Sequence, residues 1–419
     1  MKKKLTILFA VSFALLVLGQ TALAIPAFAR KHGFNCNMCH VGFTKLNDFG
    51  QRFRDNGYQI PGQQGLEKTV FETAFPLAMR TTAGYSLYGT GGQSAGGFHI
   101  YNLDLLSGGV LHKNISYMFI YTPRIDEPAA DYTGPGTGNN PAQLAAIESA
   151  AVVFSNIVRD KLNLRIGRFE PGFQLISSKR SYYILQPYEI YSFAGTRNSF
   201  DFSANQIGIE ATGRFKPGLK YALGYINGTG ANPDNNKFND VYLALSKTFG
   251  KGEGQSAGQR IGVFGYLGWQ PTRFIVPIIS PVGDVNGVDN RTYYRFGGDI
   301  SLNWRTFNLQ GMAFRGVDNR DFNDFEPTLN YAFWGGVAEL DWAGLPDNRL
   351  VASLMYNWVR PPDYNAVHKL DACSALVRYY LGSWSAVNVA IHAEFTHRRV
   401  GSVAPITDNL FTLLLDFDF

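Results

Sequence analysis

Residues 387–396 read Val-Asn-Val-Ala-Ile-His-Ala-Glu-Phe-Thr, and the reading of this stretch decides the fold. In an extended chain successive side chains point to opposite faces. Val387, Val389, Ile391, Ala393 and Phe395 therefore share one face, and Asn388, Ala390, His392, Glu394 and Thr396 share the other. The same period recurs elsewhere. Leu219, Tyr221, Leu223 and Tyr225 oppose Lys220, Ala222, Gly224 and Ile226. Thr292, Tyr294, Phe296, Gly298, Ile300 and Leu302 oppose Arg291, Tyr293, Arg295, Asp299 and Asn303. From near Phe71 onward such segments of about ten residues follow one another between turn signals. Roughly 16 of them begin near residues 76, 98, 114, 144, 161, 201, 219, 238, 258, 290, 306, 328, 349, 367, 385 and 405.

A soluble β-sandwich also alternates, with its apolar face inward. Three features point instead to a barrel in an outer membrane. Tyr88, Tyr121, Trp269, Trp304, Trp342, Trp358, Tyr380 and Trp384 fall near segment ends, where interfacial aromatic girdles sit. Short turns such as 344–348 alternate with long polar loops such as 126–141. The chain closes Phe411-Thr-Leu-Leu-Leu-Asp-Phe-Asp-Phe419, an aromatic ending that looks like the assembly signal of bacterial outer-membrane barrels. The predicted fold is thus mainly β, a transmembrane antiparallel β-barrel over residues 69–419 with a short N-terminal helical segment ahead of it. About 16 strands fit best, with 14 or 18 as neighbouring counts. An even number places both termini on the periplasmic side of the outer membrane of a Gram-negative bacterium, and the outer face then contacts lipid.

Residues 1–24 read as a secretory signal. Lys2, Lys3 and Lys4 precede an apolar core from Leu5 to Gly19, and Ala22-Leu23-Ala24 supplies small residues for cleavage. Ala27-Phe28-Ala29 offers a second cut. The other reading, an uncleaved anchor, meets a core short for a spanning helix. Removing the three leader lysines takes the formal charge from +5 to +2, which argues against nucleic acid as a partner. With 45% hydrophobic and 17% charged residues, disorder is excluded as the general state. Three cysteines make no disulfide scaffold, so the close pair Cys36 and Cys39 needs its own explanation.

Residues 36–40, Cys-Asn-Met-Cys-His, have the C-x-x-C-H spacing of covalent haem c attachment. Two thiols three positions apart reach the haem vinyl groups, and the adjacent imidazole falls under the iron. Cys36 and Cys39 are the expected thioether residues and His40 the proximal iron ligand, for one haem c. Zinc would need a second ligand pair, and a redox disulfide a βαβ context; neither is present. Leu46, Phe49 and Phe53 recur at helical spacing after the motif and are candidates to pack on the haem face. The segment 25–68 is too short to fold alone without a staple. Candidates for the sixth iron position are His32, close in sequence, and Met118, Met312, Met355 and His392, which alternation turns toward the lumen.

Pro26-Ala-Phe-Ala-Arg30, Cys36 to His40, Leu46, Phe49-Gly50, Phe53 and Gly57 together resemble the fused monohaem cytochrome–porins of iron-oxidising bacteria. That resemblance implies a haem segment joined to a porin-like barrel of about 16 strands. The usual proline after the haem histidine is absent, Val41-Gly42-Phe43-Thr44 standing there, so the likeness is to the broader cytochrome–porin group. Arg165 to Phe173 looks like a segment of phosphate-selective porins, and reads equally as a strand end with a Pro-Gly turn. Residues 174–194 form either a lumen constriction or an external loop. The function expected is electron transfer from an extracellular donor such as Fe(II) to a periplasmic c-type cytochrome, an iron(II):cytochrome c oxidoreductase. Two other readings stand beside it. One is electron export to an external acceptor. The other is a passive anion-selective porin with a structural or sensory haem plug, for which Arg165, Arg291 and Arg295 on the lumen face speak, and Asp104, Asp299 and Glu394 against.

Overall fold

The computed structural model describes residues 27–418, apart from 35, 43, 74–75, 124–145, 174–175, 185–187, 217, 231, 251–258, 275–286, 385–386 and 403. The leader, the loop 126–141 and the side chains of Cys36 and Trp384 lie outside the described residues. Two short strands near the N-terminus, β1 (His40–Gly42) and β2 (Lys45–Leu46), pair with each other. The alternating segments then form β3 (Leu77–Thr90), β4 (Gln93–His112), β5 (Ile115–Thr122), β6 (Ala146–Phe154), β7 (Ile157–Asp160), β8 (Asn163–Phe169) and β9 (Gln206–Phe215). They continue as β10 (Leu219–Ile226), β11 (Asp240–Phe249), β12 (Gln259–Phe274), β13 (Gly287–Trp304) and β14 (Phe307–Asp318). The last are β15 (Tyr331–Gly344), β16 (Leu350–Arg360), β17 (Leu370–Trp384), β18 (Val387–Val400) and β19 (Ile406–Asp418).

All of β3 to β19 except the short β7 join in one closed antiparallel barrel of 16 strands, sealed where β19 meets β3. No expected segment start lies more than five residues from the observed strand. Closure pairs every strand on both sides, which a barrel in hydrocarbon requires because no water is there to satisfy an edge. The faces confirm which medium surrounds the wall. Val263 (56% exposed), Leu354 (61%) and Leu413 (49%) point outward, whereas Thr82, Glu210, Asp240 and His392 on the inner face are at 0%. Apolar residues face out and polar ones in, the reverse of a soluble sandwich.

Tyr121, Trp269, Trp304, Trp342 and Trp358 lie outward near both rims, as girdle residues should. Tyr88 and Tyr380 do not. Tyr88 shares the inner face with Ser86 and hydrogen-bonds Asp408. Tyr380 is 8% exposed, with the Arg378 guanidinium 5.3 Å from its ring. Both sit one residue off the outward parity of their strands, which proximity to a strand end does not reveal.

The rim carrying both ends of the barrel chain, at Leu77 and Asp418, also carries tight turns such as 113–114, 305–306 and 345–349. The opposite rim carries most of the longer connections. One of these, between β8 and β9, folds inward and settles the choice left open for residues 174–194. Tyr182, Tyr183, Tyr188, Ile190 and Tyr191 are all buried. Tyr188 Oη donates to Glu339 at 2.9 Å, and the amide of Ile184 donates to Glu394 at 3.0 Å. On the other side Phe173 and Phe202 (ring centroids 4.5 Å apart) pack against Tyr242, Phe264 and Phe314. The segment therefore crosses the lumen.

Candidate cofactor site

The chain ahead of β3 enters the lumen from the rim that carries the termini. It contains helix α1 (Ala27–His32), a single 3-10 turn over Cys36–Met38, the β1–β2 hairpin and helix α2 (Asp48–Asp55). Asn47 builds the junction. Its side chain caps α2 by accepting from the Gly50 amide at 2.9 Å, and its amide group donates back to the carbonyls of Asn37 (3.2 Å) and Met38 (3.0 Å). The start of the helix is thereby fastened to the C-x-x-C-H turn. Gly50 lets the two touch: a Cβ there would lie 2.3 Å from the Cys39 carbonyl oxygen. Phe28 packs on Phe53 (5.2 Å) and Tyr58 (5.1 Å), and Phe34 on Phe49 (5.8 Å). So small a segment has little core of its own, and the barrel wall supplies the rest.

Polar contacts fix this plug inside the wall. Lys45 Nζ lies 2.7 Å from Glu339 Oε1 and also contacts Asp341. Asp55 receives Arg214 (2.8 Å) and Lys220 (2.7 Å). Gln59 donates to Ser155 (3.0 Å), and Asn348 to the Val41 carbonyl (2.7 Å). From the far side the inward segment meets the plug directly, where Thr44 Oγ1 donates to the Ser181 carbonyl at 2.7 Å.

Between plug and wall lies a cavity of 510 Å³, within the roughly 300–1,000 Å³ of small-molecule and cofactor sites. Cys39 and His40 both line it. Phe28, Phe34, Leu46 and Phe53 give it an apolar plug face, and Leu106, Met118, Ile120 and Val153 an apolar wall. Arg54, Arg165 and Arg180 line it as well. His40 Nδ1 is 3.2 Å from the Thr44 carbonyl, which only accepts, so Nδ1 carries the proton and Nε2 the lone pair. Burial pushes the pKa of His40 down to about 4 against the pull of that carbonyl, so the imidazole is neutral at ordinary pH. A neutral imidazole oriented through its second nitrogen is what a haem iron asks of a proximal ligand. The donor set, the apolar walls and the cavity size fit a haem.

Of the residues named as candidates for the sixth position, Met118 alone lines this cavity. His32 packs against Phe34 and Phe53 and lies 3.4 Å from Glu67. Met312 and Met355 face inward, each 3% exposed, but are covered by other packing; Tyr191 Oη donates to Met312 Sδ at 3.3 Å. His392 faces inward with Nε2 3.0 Å from Glu394. The lumen arginines are matched to acids, Arg165 to Glu210, Arg295 to Asp318 (2.8 Å) and Arg291 to Asp321. The stretch from Arg165 to Phe173 is a strand end that turns into the lumen, with Phe173 fully buried. Sequence reading missed Lys45, Arg54, Asp55, Glu170 and Arg180. The dense Arg-Phe-Arg-Asp run at 52–55 was the available signal for two of them.

No protein-family model matches the chain, and no curated protein is similar to it in sequence. Solved structures are similar in fold. An anion-selective porin from Comamonas acidovorans is 11% identical at a TM-score of 0.53, over 82% of this chain and 99% of that one. The outer membrane channel DcaP of Acinetobacter baumannii is 10% identical at 0.54, over 82% and 96%. OprB of Pseudomonas putida is 11% identical at 0.51, over 84% and 95%. The fold is that of outer-membrane porins, and an outer-membrane location fits it.

Proposed function

We propose that this chain is an outer-membrane electron-transfer protein of the cytochrome–porin kind. It carries one haem c in the lumen cavity, attached through Cys36 and Cys39 with His40 as proximal ligand. The observation that carries this reading is that Cys39 and His40 of a C-x-x-C-H motif open onto one cavity of 510 Å³ inside the barrel. A haem bound there supplies a one-electron iron couple, whose potential follows from axial ligation and burial.

The chain's own groups prepare that site. Thr44 fixes the His40 ring and its tautomer. Phe28, Phe34, Leu46 and Phe53 keep water from one face, and Met118 stands among the wall residues as the sixth-ligand candidate. The plug and the inward segment both lie within the lumen and meet there, which in this reading keeps a donor's oxidised product outside. The rim of tight turns and chain ends is taken as periplasmic, where a c-type cytochrome would dock. The rim of longer loops then meets the extracellular donor, for which Fe(II) is the first choice.

A passive anion-selective porin is the second reading, and the fold comparisons favour it, since those structures are channels. The plug and inward segment inside the lumen and the acid partners of Arg165, Arg291 and Arg295 favour the first. Stopped-flow mixing of the detergent-purified protein with Fe(II) tests the proposal. Haem reduction is expected; no reduction, together with steady anion conductance in planar bilayers, would establish the porin instead.

A further inference from the structure

The cavity is not electrically balanced where α2 ends. Arg54 Nη2 lies 3.3 Å from Glu170 Oε2, and Arg180 contacts the same carboxylate oxygen, whose partner oxygen takes the Ser177 hydroxyl. Two guanidinium groups thus share one acid. Beside them Arg165 pairs with Glu210, while Asp55 alone serves Arg214 and Lys220. These ion pairs fall into three groups: Arg54 and Arg180 over Glu170 carry one excess positive charge, Arg165 and Glu210 cancel, and Arg214 and Lys220 over Asp55 carry another behind the cavity lining. Arg54 and Arg180 are 17% and 21% exposed in their side chains, and Glu170 is 7%. Unpaired charge is costly at such burial. Arg180 Nε is moreover buried without a hydrogen-bond partner among the described residues. Burial and the neighbouring Arg54 charge both weaken the Arg180 cation.

Elsewhere on the lining the cations have acid partners, and Asp104 takes neutral donors. Lys179 pairs with Glu148 (2.6 Å), Arg80 with Asp416 (3.1 Å), and Asp104 is held by Asn102 (2.8 Å) and Thr122 (2.7 Å). The excess positive charge on the cavity lining lies at the end where Arg54 and Arg180 reach it. Helix α2 sets the spacing. Gly50 abuts Cys39, and Arg54 follows one turn later, about 6 Å along the axis, with the apolar Phe53 between. A haem joined by its vinyl edge to cysteine projects two carboxylates from the opposite edge.

We propose that Arg54 and Arg180 form a carboxylate clamp that receives the haem propionates; this rests on the function proposed above. The clamp sets the propionate carboxylates against two guanidinium groups that Glu170 only half neutralises, and keeps the propionates ionised. The competing source of the same chemistry is a free oxyanion entering through the lumen.

The test is a redox titration of the full-length haem-loaded protein across the neutral pH range. Wild type should show a potential nearly independent of pH. R54Q and R180Q should lower it and make it fall with rising pH, as a propionate begins to titrate, whereas R180K should stay close to wild type. Inorganic phosphate should not bind the haem-loaded protein but should bind a chain lacking Cys36 and Cys39. Wild-type pH behaviour in both glutamine variants would overturn the clamp. So would phosphate binding to the haem-loaded protein that R180Q abolishes, which would give the site to free anions. A wild-type chain with no haem absorption would defeat the proposed function itself, and the spectrum distinguishes that outcome before any titration.

Discussion

Replacing Lys45 by methionine should open the barrel. The Lys45 side chain is 13% exposed, and its ammonium sits between Glu339 (0%) and Asp341 (5%) on β15. Burial disfavours its charge, but the two carboxylates outweigh that and hold its pKa above the ordinary value. A methionine side chain would keep most of the apolar stem and remove the cation, leaving two acids buried without a counter-charge. Breaking a buried pair from one side costs about 3–5 kcal/mol. Docking of the plug bears that cost, because Lys45 belongs to the plug and the acids to the wall. At about 1.4 kcal/mol per tenfold, even the lower figure raises the undocked fraction roughly a hundredfold. Single-channel recording in planar bilayers reads this as a comparable rise in the frequency of open events. Converting Glu339 to Gln and Asp341 to Asn in the same chain should restore closure, since no buried charge is then left over. An open probability for K45M equal to wild type would refute the claim that this contact secures the plug.

Three further outcomes follow from the same contacts. G50A places a methyl 2.3 Å from the Cys39 carbonyl, and overpacking of this kind costs about 1–3 kcal/mol, so the yield of covalent haem in a pyridine haemochrome assay should drop. Burial would raise the pKa of Glu170, but Arg180 and Arg54 hold it down to about 2 from 4.5. Its contribution to plug docking is therefore complete above pH 4.5 and lost as pH falls through 2, so protease protection of the plug should persist to about pH 3 and fail below. M118A should change the ferric haem spectrum toward an open sixth position and M118H toward bis-histidine ligation, while M312A and M355A leave it unchanged.

The barrel was legible in the sequence because its cause is local. Each strand alternates between lipid and lumen at a period of two, and turn residues mark each reversal. The C-x-x-C-H spacing was readable for a similar reason, being confined to five consecutive residues. What could not be read depends on pairings made far along the chain. Lys45 finds Glu339 across 294 residues, and Arg54 meets Arg180 over a glutamate that looks like part of a turn. Tyr88 and Tyr380 show a subtler limit. Position near a rim suggests a girdle, but inner or outer placement turns on a shift of one residue. The inward course of the segment after β8 was likewise undecided, since its many tyrosines suit an external loop as well as a packed lumen.

The most direct test of the account is the haem content of protein extracted from outer membranes after export in a host competent for cytochrome c maturation. Denaturing electrophoresis with haem staining, together with intact mass and a pyridine haemochrome spectrum, should give one covalently bound haem c per chain. C39A should lose covalent attachment through that thiol while the barrel still assembles. A wild-type barrel that carries no covalent haem would contradict the central claim and leave a plugged porin in its place.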